Sequence, residues 1–212
     1  MTINYDSNTL LNEVMPDVPG CPKEVAINAI RKAAIEFCEK SFVWVVNHAA
    51  INAVANQGKY PYVPTVYTAV VHPNNVWYNG LPLDPITSAE LDSIYKKWTT
   101  EVGTPKYYIQ DDSTGIILVP APSASLTGGI TLRVVIKPTR DSISVAAWIV
   151  EKYLETLAYG AKAKLFEIPK KPWSDAILHE HYETKFRHGI GAAQVQGEKG
   201  FTRAPLRTAI YF

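Results

Sequence analysis

The chain has 212 residues, of which 47% are hydrophobic and 19% are charged, a composition that excludes an intrinsically disordered protein and predicts a folded domain with a sizeable core. There are 21 Lys and Arg residues against 20 Asp and Glu residues, so no global field attracts the chain to nucleic acid or to a lipid surface. No apolar run approaches the ~20 residues that span a bilayer, and the first residues lack a signal-peptide pattern. We therefore expect a soluble protein that does not bind membranes.

The first predicted element is a helix that begins at Pro22. Pro16 and Pro19 block an earlier helix, whereas Pro22 suits a first helical turn because its missing N–H would have no partner there. Apolar residues then recur every three or four positions through 27–41. This spacing predicts an amphipathic helix of about six turns. Residues 42–46 could continue the helix or begin a strand.

The chain contains two cysteines, Cys21 and Cys38. Cys38 falls on the apolar side of the predicted helix, which favours a buried thiol in a reducing compartment. The spacing also leaves a disulfide open.

The middle of the chain predicts a β-rich region. Residues 47–64 lose any periodicity and are expected to form a loop. Runs of β-branched and aromatic residues predict strands in an antiparallel meander, at positions 66–71, 76–78, 81–83, 106–110, 115–119 and 130–136. Turns are predicted at positions 72–75, 79–80, 111–115 and 120–129, with Gly128-Gly129 as a hairpin turn.

One short helix interrupts these strands. Thr87 and Glu90 have the spacing of a capping box, and an apolar face from Leu91 to Trp98 follows it. Gly103 is expected to close this segment.

The last third predicts two long helices. Ser144 could cap the first, at 145–168, and the prolines at 169 and 172 end it. Ser174-Asp175 begins the second, at 174–196, and the small residues 189–193 are expected to mark its close. The short proline-containing connection predicts antiparallel packing.

Residues 197–212 follow with neither a helical nor a strand period and end on apolar side chains. A free tail is normally polar, because a solvated chain gains nothing from large apolar residues. We therefore expect this segment, the arm, to dock on its own chain or on a neighbour. Its large apolar residues are Phe201, Leu206, Ile210, Tyr211 and Phe212.

Catalytic and metal-binding patterns are weak. The chain has neither a G-x-S-x-G motif nor a glycine-rich phosphate loop. His181 and His188 share a helical face, and Asp111 and Asp112 form a carboxylate pair, so a metal-dependent enzyme is an alternative. Helix-surface histidines and turn chemistry are the simpler interpretations. We expect no enzymatic activity, no cofactor and no metal.

Sheet aromatics offer a second alternative, a small cytosolic α+β nucleic-acid-binding module. Aromatic and basic side chains interleaved on one sheet face can stack bases and contact phosphates. Packing within the sheet is the simpler interpretation. The candidate residues are Trp77, Tyr78, Lys106, Tyr107, Tyr108, Arg133 and Lys137.

Several short segments occur in an order that resembles a known family. They are Leu10–Pro22, Ala29–Cys38, Gly103–Tyr108, Leu118–Pro122, Leu157–Ala161, Lys171–Asp175 and Arg203–Arg207. Together they resemble the head-to-tail adaptor (connector) proteins of tailed bacteriophages, a group similar in role to tail tubular protein A of short-tailed phages. Residues 47–64 have no counterpart in this resemblance.

The resemblance implies a virion structural protein of the head-tail neck, assembled in the bacterial host cytoplasm. It implies a homo-oligomeric ring, commonly of twelve copies, between the portal protein and the tail nozzle or tail-tube protein. DNA would pass through the lumen without sequence-specific binding. A C-terminal arm would seat against the portal, and the candidate contacts in this chain are Phe201, Arg203, Pro205, Leu206, Arg207, Tyr211 and Phe212.

The predicted fold class is α+β, with a bundle of about four helices, an antiparallel β-sheet domain inserted between them and an extended C-terminal arm. Residues 1–64 and 138–196 are assigned to the helical, ring-forming domain. Residues 65–137 are assigned to the β-rich domain, with its short helix at 87–99, and residues 197–212 to the docking arm.

Overall fold

A computed structural model describes residues 1–95, 97–110, 112 and 114–198. The fold is α+β, as predicted, and the chain forms two compact units. Met1–Trp44 and the described residues from Lys137 onward form the helical unit, and Val45–Ile136 form the β unit inserted into it in sequence. The predicted boundary lay after residue 64, whereas the units divide after residue 44. None of the helices in the described residues is long and apolar enough to cross a membrane.

The described part of the chain contains five α-helices and thirteen β-strands. The helices are α1 (Asn8–Val14), α2 (Lys23–Ser41), α3 (Ser88–Ile94), α4 (Ala147–Phe166) and α5 (Ala176–Glu198). The strands are β1 (Thr2–Asn4), β2 (Val45–Asn47), β3 (Ile51–Ala53), β4 (Lys59–Pro61), β5 (Thr68–Tyr78), β6 (Leu81–Pro82), β7 (Asp84–Pro85), β8 (Val102–Gly103), β9 (Tyr107–Ile109), β10 (Gly115–Val119), β11 (Ala121–Pro122), β12 (Leu126–Pro138) and β13 (Ser144–Ala146).

Helix α2 forms where the sequence predicts it. Pro22 is its N-cap in an extended conformation. Phe42, with φ of 54°, adopts the left-handed conformation that ends it. Residues 42–46 therefore do not continue the helix, and a strand, β2, begins at Val45. Cys38 is a buried free thiol, as the periodicity predicted, and Cys21 is also free.

The start of the chain is tied to the start of α4 by strand pairing. β1 pairs antiparallel with β13, and the Ala147 amide donates to the Met1 carbonyl. Tyr5 and Ser142 form a buried hydrogen bond of 3.0 Å, and burial raises the pKa of Tyr5 to about 12. The predicted helix cap at Ser144 is therefore wrong, since this residue lies in β13 and the sheet uses its backbone.

Helices α4 and α5 form the predicted antiparallel hairpin. The Asp175 carboxylate accepts hydrogen bonds from the amides of Ile177 and Leu178, so this residue caps α5. The small residues at 189–193 do not end the helix, which continues to Glu198. Gly189 instead lies against Thr156 of α4, where a side chain would clash.

In the β unit, strands that are distant in sequence pair with each other, so the unit is not the simple antiparallel meander that the sequence predicted. One sheet has the order β2-β12-β5-β6, with β3 also on β12, and another has the order β4-β10-β9-β7. The β7–β9 and β8–β11 pairs are parallel. The segment 47–64, predicted as a loop, supplies β3, β4 and the end of β2. This pairing explains why the unit boundary lies earlier than predicted.

Two predicted turns are strand instead. His72–Asn75 lies within β5, and Pro73 lies outside the residues of this strand that pair with β6, which are Trp77 and Tyr78. Gly128-Gly129 lies within β12, at a shift of the pairing register with β3, and Gly128 has a φ of 64°. It is a bulge rather than a hairpin turn.

Two local predictions in this region are confirmed. Asn79 and Gly80 both have positive φ and connect β5 to β6 as a tight hairpin. The Thr87 side chain accepts a hydrogen bond from the Glu90 amide at the start of α3. The helix ends earlier than expected, at Ile94, and the Trp98 indole donates to the Asp92 carboxylate.

Candidate docking surfaces of the helical unit

The predicted docking arm lies outside the described residues, apart from its first two positions. Gly197 and Glu198 are the last residues of α5, and the other predicted contacts fall beyond them: Phe201, Arg203, Pro205, Leu206, Arg207, Tyr211 and Phe212.

The base of the arm is packed against the helical unit. Gly197 lies beside the end of α2, so that a Cβ there would be 3.4 Å from the Val43 Cα. One residue earlier, the Gln196 side chain accepts a hydrogen bond of 3.1 Å from the Tyr153 hydroxyl of α4. The point from which the arm departs is therefore held by both α2 and α4.

Close backbone approach between α4 and α5 sets the direction of α5. Gly160 of α4 lies against the ring of Phe186, which is fully buried. A Cβ added to Gly160 would come within 2.7 Å of Phe186 Cε2, which is closer than real Cβ contacts. Any side chain at this position would force the two helices apart.

We predict that Gly160→Ala destabilises the helical unit by about 1–3 kcal/mol through overpacking. This loss would outweigh the roughly 1 kcal/mol that alanine gains over glycine in helix propensity. Gly191→Ala is the matched control, because Gly191 lies on α5 with no atom within 4 Å of an added Cβ. Urea unfolding should show the control to be as stable as the parent chain or more so. Equal stability of the two variants would contradict this packing account.

A cluster of one lysine and two aromatic rings connects the turn before α2 to the α4–α5 hairpin. Lys162 Nζ lies 2.6 Å from the Asp17 carboxylate, although the Lys162 side chain is only 9% exposed. Its ammonium also lies 5.3 Å from the ring centre of Tyr182, which stacks on Phe166. Burial, together with the nearby Asp17 charge, raises the pKa of Tyr182. Sequence reasoning did not find this cluster, because Asp17 and Lys162 are distant in the chain.

A groove runs along α2 beside the C-terminal half of α4. Two adjoining cavities, of about 500 and 750 Å³, share Asn28, Lys32 and Lys164 in their walls. Glu36 lies in this groove and accepts hydrogen bonds from Lys40 and Lys164, each at 2.5 Å. Burial opposes ionisation of Glu36, but the hydrogen bonds from the two lysines outweigh it and lower its pKa below the usual 4.5.

This lowered pKa predicts an acid-dependent loss of stability. A carboxyl group whose pKa is lower in the folded state stabilises the fold fully above its unfolded pKa. That contribution is lost as the pH falls from 4.5 through the folded-state value. Glu36→Gln should reduce stability at neutral pH by about 1 kcal/mol at most, since the group is partly solvated. The stability of this variant should fall less steeply with decreasing pH than that of the parent chain. An unchanged dependence of stability on pH would contradict the lowered pKa of Glu36.

The residues considered for a metal site lie in two different units or outside the described residues. His181 and His188 are exposed on α5. Asp112 belongs to the β unit, where it accepts hydrogen bonds from Thr114 and pairs with Lys59 at 3.5 Å, and Asp111 lies outside the described residues. Within the described residues, no group of three or more His, Cys, Asp or Glu side chains could hold a metal ion.

Two of the four sheet aromatics considered for nucleic-acid binding are used in packing, and Trp77 and Tyr78 are half-buried. Tyr108 is only 6% exposed, and burial raises its pKa. Tyr107 packs against the small core that includes Leu91. Lys137 pairs with Glu39 at 2.7 Å in the helical unit. These contacts favour the packing interpretation over a base-stacking platform.

An α+β chain with a helical unit, an inserted β unit and an arm beyond α5 has the organisation expected of a bacteriophage adaptor. The comparison with known families supports this class. The family model described as SU10 adaptor protein matches residues 6–209, and the chain belongs to that family. A search of curated proteins found no match. The chain is thus a phage adaptor protein, a virion component that interacts with other head and tail proteins.

Proposed function

We propose that this protein forms a ring of about twelve copies between the portal vertex and the tail nozzle or tail tube, in a role similar to that of tail tubular protein A. The ring provides a passage for DNA and a docking platform for tail proteins. Its role is mechanical, and we propose neither a catalytic step nor a cofactor. It acts in the virion neck after assembly in the host cytoplasm.

The extent of the family match carries this proposal. The match begins near β1 and continues to residue 209, well beyond the end of α5. Residues 197–209 of the arm are therefore part of the sequence that the family model describes, and Tyr211 and Phe212 follow the matched range. An apolar segment of this kind is stabilised only when it is buried against another surface.

The proposed partner of the arm is the portal protein. Phe201, Leu206, Tyr211 and Phe212 supply apolar contact area, and Pro205 restricts the backbone. Arg203 and Arg207 suit acidic portal groups, since a guanidinium can bind a carboxylate through two hydrogen bonds. Docking of the arm makes assembly sequential, because the docking site exists only on a completed portal.

The charge of the chain fits a DNA passage. A strongly basic lumen would hold phosphates and slow the movement of DNA. The formal net charge of +1 avoids such a general attraction. The exposed sides of α4 and α5 supply the contacts between copies, each burying roughly 1,500 Å² or more as in other lasting assemblies.

Reconstitution with purified portal rings tests the proposal. The isolated chain should sediment as a monomer or a weakly associated species, and adding portal should produce a complex with one adaptor for each portal copy. A stable adaptor ring without portal would contradict sequential assembly. Failure to bind portal, together with salt-dependent binding to oligonucleotides, would replace the adaptor function with nucleic-acid binding.

A further inference from the structure

The outward face of α5 has no Asp, Glu, Lys or Arg along its centre. Helix α5 buries Phe186, Ile190 and Ala193 against the helical unit, so residues half a turn away point to the opposite side. These outward residues, which we call the α5 strip, are all exposed. They are Ile177, Thr184, His188, Gly191 and Val195.

The composition of the α5 strip is that of an interface rather than of a solvated surface. A helix that faces water normally carries charged residues on its outer side. Here Ile177 is 82% exposed and Val195 is 47% exposed. Depletion of charge with retention of apolar side chains is typical of the buried core of a protein–protein contact.

The groove along α2 has the complementary character. Its apolar lining comes from Val25, Ala29, Ile35 and Ile168. The groove spans about 23 Å from Val25 to Lys40 at the usual helical rise, and the α5 strip spans about 27 Å. A helix lying along the groove would therefore contact it over nearly its whole length.

Charge also matches between the two surfaces. Lys32 and Arg140 line the groove and have no carboxylate partner among the described residues. Of the groove carboxylates, Glu36 and Glu39 are paired with lysines, whereas Glu167 forms no ion pair within the described residues. On α5, Glu180 and Glu198 lie on one flank of the strip and form no ion pair in the described part of the chain. The groove thus has two unpaired cations against one unpaired carboxylate, and the flank of the strip has two unpaired anions.

We infer that the α5 strip of one copy occupies the α2 groove of the next copy. Each chain carries one groove and one strip on different helices, so the contact is head-to-tail and can close into a ring. A second copy is a better occupant than an unrelated acidic segment, because the chain itself supplies a helix of matching length and charge. This inference rests on the proposed ring function and specifies its subunit contact.

Two charge-reversed variants test the contact. The groove variant carries Lys32→Glu and Arg140→Glu, and the helix variant carries Glu180→Lys and Glu198→Lys. Each alone places like charges on both sides of every contact, whereas a mixture of the two can alternate around a ring with opposite charges facing. Adaptor copies bound to each purified portal ring are counted by mass photometry, and circular dichroism confirms folding.

For each variant alone, the fraction of portal rings that carry a complete adaptor ring should fall by about tenfold or more. For the mixture, this fraction should recover to within about threefold of that of the parent chain. Ala176→Glu, on α5 but away from the strip, should assemble like the parent, and Thr184→Glu on the strip should not. A mixture no better than either variant alone would overturn the inference, while leaving portal binding intact.

Failure of the parent chain to bind portal would refute the proposed function instead. The contact is then measured by sedimentation of concentrated adaptor without portal. The mixture should associate more tightly than either variant alone, and equal association would overturn the inference.

Discussion

Removal of residues 199–212 should weaken binding to purified portal by about a hundredfold or more, because the truncation removes the aromatic and arginine side chains that dominate interfaces. The unfolding transition should not move, since the cut follows Glu198 and keeps the contact of Gly197 with the end of α2. Binding is measured by interferometry on immobilised portal, and unfolding by circular dichroism.

Two controls separate portal docking from an internal role of the arm. Thr202→Ala and Thr208→Ala change polar positions of the arm and should alter affinity by no more than about twofold. A large fall in stability on truncation would instead mean that the arm packs on its own subunit. In that case its apolar residues stabilise the fold, and the docking assignment is wrong.

Phe186→Ala should destabilise the helical unit by about 3–5 kcal/mol, the range for an aromatic side chain deleted from a core. Phe186 is fully buried, and its ring lies against Gly160 of the neighbouring helix. Gly160 has no side chain that could fill the space left on the α4 side. Urea unfolding followed by circular dichroism measures the loss.

Ile177→Ala is the matched control for this variant. Ile177 lies on the same helix but is 82% exposed, so its truncation should change stability by about 0.5 kcal/mol or less. A loss below about 1 kcal/mol for Phe186→Ala would contradict the packing of α4 on α5. A similar loss for both variants would indicate that α5 as a whole is weakened.

The elements that sequence reasoning located are those specified by local chemistry. Helix α2 follows Pro22 and the apolar period, and Asp175 caps α5 through its own carboxylate. The Asn79-Gly80 turn follows from two residues that tolerate positive φ. Each of these signals lies within a few residues of the structure it produces.

The elements that it missed depend on distant partners. Strands β2, β3 and β4 are short, and each is defined by pairing with β12 or β10 far along the chain. Their sequences do not alternate clearly enough to show this. Ser144 has the side chain of a helix cap, but pairing with Asn4 in β1 places it in a strand.

Of the two docking surfaces, the arm is specified locally in the sequence and the groove depends on distant partners. The arm is visible in the sequence, since its apolar residues follow a helix without any period. The groove is not, because it arises where α2 meets α4 and the Glu36–Lys164 pair crosses between them. Gly160 and Gly189 are also visible in the sequence. The small residues from Gly189 onward predicted the end of a helix, whereas in the structure both glycines lie where α4 and α5 pack closely.

Cryo-electron microscopy of the intact virion neck tests the central proposal most directly. The account predicts that density for this chain forms a ring between portal and tail, with residues 199–212 of each copy lying against the portal. Density that shows this segment folded back onto its own helices, or the chain located away from the neck, would contradict it.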